Sequence, residues 1–176
     1  MDEIRLIKPS LQYREDIAAF RREIMETDGP DGFDGCSGLG SCDTVEAWLA
    51  LLASRERQET CPPGGVTSDA YLAVRCSDDR IVGIIDLRHH IDHPILGLWG
   101  GHIGYSVRPA ERRKGYAKEM LRLNLDNCRA RGLEKVMVTC SRGNIASEKT
   151  ILANGGIFER EVEVDGEMIK RYWITL

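Results

Sequence analysis

The segment YSVRPAERRKGYAKEML, Tyr105 to Leu121, constrains the fold more than any other stretch. Its first residues read as the end of a β-strand. Its last residues set Ala117, Met120 and Leu121 at helical spacing, continued by Leu125 and Cys128 into one apolar face. Between them lies a short turn holding Arg112, Arg113, Lys114 and Gly115. A strand that hands over to a helix so abruptly leaves the first N–H groups of that helix unpaired at the end of a sheet. The aligned peptide dipoles add partial positive charge there, which suits phosphate. Gly115 removes the Cβ that would hold a ligand off the backbone. The turn therefore predicts a local anion cradle, of a size for a pyrophosphate rather than for a duplex.

This basic turn stands out because the whole chain is acidic, with 24 Lys and Arg against 28 Asp and Glu, a net charge of -4. That balance argues against a general nucleic-acid binder. The N-terminal MDEIRLIKPS carries no long apolar run, and no window approaches the roughly 18 apolar residues of a membrane span. The expectation is a cytoplasmic protein with no membrane and no nucleic-acid partner. The 176 residues suggest one domain over 1–176. Six cysteines (Cys36, Cys42, Cys61, Cys76, Cys128, Cys140) form no C-x-x-C pair, so free thiols are expected and no metal site. The HHxxH of His89, His90 and His93 lacks the helical frame of a zinc site and reads as a turn.

Periodicity and turn residues give the order β-α-α-β-β-β-α-β-α-β-β. Residues 4–7 read as a strand, 11–25 as a helix, and 44–56 as a second helix with Asp43 as its N-cap. AYLAVRC and RIVGIIDLR read as paired strands, and LGLWGGHIGYSV as a glycine-interrupted third. After the central helix come a buried strand (LEKVMVTC), a short helix capped by Asn144, and a hairpin turning at Asp165–Gly166. The fold class is α/β (α+β-like), a single mixed, mostly antiparallel sheet flanked by helices. Residues 1–68 hold the N-terminal strand, two helices and their loops, and 69–176 the remaining core with the C-terminal hairpin.

Arg112-x-x-Gly115-x-Ala117, following YSVRP, resembles the (Q/R)-x-x-G-x-(G/A) signature of the GNAT superfamily of N-acetyltransferases. NIASEKTILANGG, Asn144 to Gly156, resembles that family's second cofactor-side segment. The resemblance covers roughly Ala70 to the C-terminus. It implies acetyl-CoA as cosubstrate and no metal, with the fourth and fifth strands splayed apart. It places the pyrophosphate over Arg112, Arg113, Lys114, Gly115, Tyr116 and Ala117. The pantetheine arm would pair with the edge of the fourth strand at Tyr105 and Val107, near Asn144. The implied reaction is acetyl transfer to a primary amine of a small molecule by direct attack in a ternary complex. A non-catalytic acyl-CoA sensor, or an acetyltransferase acting on a protein or peptide amine, stands as the alternative. Dimers are common in the family, so a homodimer fits.

Direct attack requires a neutral amine, and an alkylammonium near a pKa of about 10.4 is only ~0.1% neutral at pH 7.4. His102, on the fourth strand, is the first candidate base and Asp86 the second. A backbone N–H between Ile103 and Tyr105 would serve the oxyanion. Many family members carry a tyrosine acid seven residues after the asparagine, where this chain has Ile151. Ser147, Ser141, Cys140 and Tyr105 remain candidates to protonate the leaving thiolate. The long loop with Asp28, Asp31 and Asp34 would attract a cationic amine.

Overall fold

A computed structural model describes all residues, Met1–Leu176. The elements are β1 (Ile4–Ile7), α1 (Arg14–Asp28), α2 (Val45–Arg55), β2 (Ser68–Arg75), β3 (Ile81–Arg88), β4 (Tyr105–Val107), α3 (Tyr116–Ala130), β5 (Lys135–Ser141), α4 (Ile145–Ala153), β6 (Ile157–Val164) and β7 (Glu167–Thr175). This is the expected order. The first helix is entered through a 3-10 turn at Leu11–Tyr13, which leaves Leu11 58% exposed rather than on the buried face.

All strand pairs are antiparallel. They fall into a four-stranded sheet, β1-β2-β3-β4, and a three-stranded one, β5-β7-β6. The splay between the fourth and fifth strands is complete: β4 and β5 share no ladder, so what the sequence suggests as one sheet is two. The four-stranded sheet is buried on both faces. Leu72, Val74 and Ile84 pack under α1 and α2 with Ile17, Phe20, Ile24 and Trp48. Ala73, Val82, Ile85 and Leu87 pack under α3 with Met120, Leu121, Leu125 and Cys128. The second cluster runs on through Val136, Val138, Tyr172 and Ile174 of the other sheet, so α3 bridges the two sheets.

Two local readings change. The cap of α2 is Thr44, whose hydroxyl accepts the Ala47 N–H at 3.1 Å, not Asp43. The stretch before β4 is not a continuous strand: Leu96–Gly100 coils into a single wide π-helical turn, and Gly101 (φ 69°) sends the chain into the sheet. An apolar, glycine-rich run carries no period that separates the two outcomes. All six cysteines are free, and no helix is long and apolar enough to cross a membrane.

Candidate active site

Each of β4 and β5 is paired along one edge only, β4 to β3 and β5 to β7. Their other edges face each other and diverge, and a cleft of about 660 Å³ opens between them. The point of divergence is held by His102. Its backbone N–H donates to the Met137 carbonyl at 2.8 Å, and its Nδ1 accepts the Met137 N–H at 2.9 Å. One side chain thus replaces the next rung of a ladder. His102 is buried, and burial together with the nearby Arg88 lowers its pKa to about 4. It does not line the cleft, and the nitrogen that would take a proton is already accepting one. This places the first sequence candidate for the base at a structural clasp.

Asp86 is also structural. It exchanges backbone bonding with Gly104 through its N–H (3.0 Å), but the Gly104 N–H turns to the Asp86 carboxylate Oδ1 at 2.8 Å. The displaced Asp86 carbonyl accepts from Asn124 Nδ2, buried on α3, at 2.9 Å. A side-chain oxygen thus replaces a carbonyl in one rung between β3 and the residues that lead into β4. Asp86 is buried and does not line the cleft.

Farther along, residues 104, 106 and 108 bond to β3. By antiparallel alternation the N–H and C=O groups of Ile103, Tyr105 and Val107 face the cleft. The Val107 carbonyl accepts Arg112 Nε at 3.1 Å, which folds the basic turn back against the strand end. Ile103 and Tyr105 leave their polar backbone edge to the cleft.

The cleft ends at the turn the sequence singles out. Arg113 (φ 62°) and Gly115 (φ 90°) adopt left-handed backbone, which turns the amides of the loop inward to the helix start. Gly115 occupies the N-cap position of α3 and, having no side chain, caps nothing. Tyr105, Val107, Arg112, Arg113, Gly115, Tyr116, Ala117, Asn144 and Ser147 all line the cleft. Lys114 does not; its ammonium pairs with the Glu111 carboxylate at 2.9 Å. Arg112 grips Asp28 at the end of α1 with both terminal nitrogens, and this pairing holds the Asp28 carboxyl below its ordinary range. Arg113 alone among these three cations is exposed and unpaired, and Lys118, in the first turn of α3, lines the cleft unpaired as well.

The opposite wall is β5 and α4. Asn144 caps α4, its Oδ1 accepting the Ser147 N–H at 3.1 Å. The Ser147 hydroxyl lies 2.8 Å from the Tyr105 hydroxyl, which reaches across the cleft from β4. Burial raises the Tyr105 pKa above its ordinary value, so the phenol stays protonated at neutral pH. Ile151 is fully buried in the core beneath, well away from any acid role. Cys140 lines the same wall, its thiol raised to about 11 by burial.

One group here is new. The loop after α1 lays its backbone on β4: Ser106 Oγ donates to the Asp34 carbonyl at 2.7 Å and to the Gly32 carbonyl at 3.1 Å. Asp34 therefore stands at the mouth of the cleft as an exposed residue, with no donor on its carboxylate. Desolvation raises its pKa, opposed by Arg88 and assisted by Asp86 and Asp31. Sequence reading finds Asp34 only as one of several acids in a loop; the Gly-x-Asp-Gly setting that presses it on β4 is the signal available.

A family profile, the acetyltransferase (GNAT) domain, matches residues 5–157. A search of curated protein sequences returns no match. Among solved structures, the microcin C7 self-immunity acetyltransferase MccE, in complex with acetyl-CoA and AMP, superposes with a TM-score of 0.70 at 16% identity over 100% of this chain and 94% of that one. RimJ of Mycobacterium smegmatis, in complex with CoA-disulfide, gives 0.68 at 20% identity over 98% and 81%. A GNAT-family acetyltransferase of Bacillus anthracis gives 0.63 at 18% over 99% and 96%. At these identities the structural likeness speaks to the fold alone.

Proposed function

Because the chain belongs to the GNAT acetyltransferase family, we propose that it transfers the acetyl group of acetyl-CoA to a primary amine of a small molecule. One observation carries this reading: a cleft between two parting strand edges runs directly into an uncapped helix start that bears two unpaired cations, Arg113 and Lys118. A thioester on a long amide-containing arm, ending in a diphosphate, matches those parts in that order. The amides of the 113–117 turn and Arg113 would take the diphosphate. The free edge of β4 at Ile103 and Tyr105 would pair with the amides of the arm.

The amine enters from the side of the α1–α2 loop. Asp34 is the proton acceptor in this reading, since it is an unpartnered carboxylate with a raised pKa at the cleft mouth. The amine nitrogen, relieved of its proton, bonds to the acetyl carbon while the carbon–sulfur bond breaks. An N–H on the cleft edge of β4 donates to the developing oxyanion. The Tyr105 hydroxyl, oriented by Ser147, gives its proton to the leaving sulfur, and the second proton shed by the acetylated nitrogen restores the phenol. It takes the place of the helix tyrosine that Ile151 replaces. With a thiol pKa of about 8.5 the sulfur is a tolerable leaving group, so this last contribution is modest.

Calorimetry with acetyl-CoA, paired with a thiol-release assay across a broad amine panel, tests the reading. Micromolar binding with turnover of at least one small amine is the expected result. Binding without turnover on any amine would make the protein a sensor. Absence of binding would remove the reading altogether.

A further inference from the structure

Four arginines of this protein grip a carboxylate with the Nε–Nη2 edge of the guanidinium: Arg75 on Asp78, Arg108 on Glu23, Arg122 on Glu119 and Arg142 on Glu161. Arg88, at the end of β3, lines the cleft and does not. Its Nη1 donates to the carbonyls of Gly100 (2.9 Å) and Gly101 (3.2 Å), which fixes the plane of the group. Its Nη2 stands 3.2 Å from Asp86 Oδ2, and its Nε has no partner. Asp86 takes the Gly104 N–H on its other oxygen, Oδ1, and the Ser37 hydroxyl at 3.4 Å on Oδ2, and it reaches only the Nη2 side of the Arg88 edge. The result is a rigid cation whose two-pronged edge is at most half used.

Asp34 lines the same cleft with an unpartnered carboxylate, and no ion pair within 4.0 Å joins it to Arg88. Opposite charges that share a cavity without touching match a ligand that carries both signs. Trp99 and Ile169 supply apolar surface beside them. We propose that the acceptor is a small zwitterionic amine, an amino acid or a close analogue, whose carboxylate docks on the Nε–Nη2 edge of Arg88 and whose ammonium faces Asp34. This rests on the acyl-transfer reading above. A polyamine would set a second cation beside Arg88. A peptide N-terminus would offer it an amide in place of a carboxylate. Either leaves desolvated N–H donors unfilled, which sites of this kind reject strongly.

The test uses the unaltered protein with acetyl-CoA and matched acceptors: free amino acids, their carboxamides, the corresponding decarboxylated amines, a polyamine, and short peptides. Thiol release should favour at least one free amino acid over its own carboxamide and amine by about 100-fold in kcat/KM. Arg88→Lys and Arg88→Gln should raise KM for that amino acid by about 10- to 100-fold and narrow the gap to the carboxamide. Calorimetry should show acetyl-CoA affinity unchanged in both variants. Equal or better turnover of amines lacking the anion, preference for peptides, or no turnover of any amino acid by a protein that binds acetyl-CoA would each overturn the proposal while leaving the cofactor site standing. A protein that does not bind acetyl-CoA would instead sink the acyl-transfer reading on which it depends.

Discussion

The two walls of the cleft are built from the same parts, a strand followed by a turn and a helix, yet they are finished in opposite ways. On the β5 wall the helix start is closed by its own sequence, with Asn144 capping α4 through the Ser147 N–H. On the β4 wall the start of α3 is left open, with a left-handed glycine where a capping side chain would stand. The β4 wall also carries the side-chain rung between Asp86 and Gly104 and the loop that brings Asp34. A capped helix start is worth about 1 kcal/mol to the fold. Leaving one open forgoes that stability in favour of donors held ready for something else. The contrast teaches that one wall is built to bind and react while the other is built to stand.

Substitutions can break or sharpen this contrast. The largest effect should come from Asp34→Asn, which removes the proton acceptor without disturbing the backbone contacts of residue 34. We expect kcat to fall by roughly 10²- to 10³-fold with acetyl-CoA affinity unchanged. The acidic limb of the pH–rate profile, which for a carboxyl with a raised pKa lies above its ordinary position, should disappear with it. An unchanged limb would assign the base elsewhere.

Gly115→Val should come next. It fills the cradle and forces a β-branched residue to φ 90°. Loss of two charge-assisted hydrogen bonds predicts about 100-fold weaker acetyl-CoA binding, read by calorimetry. The strain should cost about 1–2 kcal/mol of stability. A loss of stability with unaltered affinity would show that the open wall is merely unfinished.

His102 sits where the walls meet, and its expected effect is on stability alone. Its folded-state pKa of about 4 lies below the unfolded value near 6.5, so the unfolded chain binds the extra proton first. Stability is therefore full above about pH 6.5 and is lost as pH falls toward 4, by up to about 3 kcal/mol. His102→Asn keeps an acceptor for Met137 without titrating, and its denaturation midpoint should be flatter across that window. A catalytic role would instead show in the pH–rate profile of the same variant.

Tyr105→Phe crosses the cleft and should lower kcat by about 10-fold, less with a thioester of a more acidic thiol. The smallest effect is Asn144→Ala: about 1 kcal/mol of stability from the lost cap, with acetyl-CoA affinity within threefold. If that variant loses affinity as sharply as the Gly115 variant does, the two walls are not different in kind.

Much of this was legible in the sequence wherever the signal is local. The element order, the Asp165–Gly166 hairpin, the Asn144 cap and the Gly115 turn all follow from residues within a few positions of one another. What escaped depends on partners far apart in the chain. His102 reads as a free imidazole until Met137, 35 residues away, takes its Nδ1. Asp86 reads as a strand-end acid until Gly104 turns to its side chain. Arg112 reads as a phosphate ligand until Asp28 claims its terminal nitrogens. In each case residue type was right for the chemistry and the fold spent it elsewhere. Asp34 is the converse, an ordinary loop acid that a backbone contact makes distinctive.

That contact has a consequence for how the protein can diversify. A Cβ at Gly35 would meet the Gly104 carbonyl group at 2.0 Å and the Tyr105 nitrogen at 2.4 Å, and one at Gly104 would meet Gly35 at 2.7 Å. Two main chains here touch with no side chain between them, like bare wires laid together. Neither position can accept even a methyl group without lifting the loop and swinging Asp34 off its mark. Drift toward new acceptors is thus channelled to Trp99 and the π-helical turn, where bulk can change while the Gly35–Gly104 contact stays as it is.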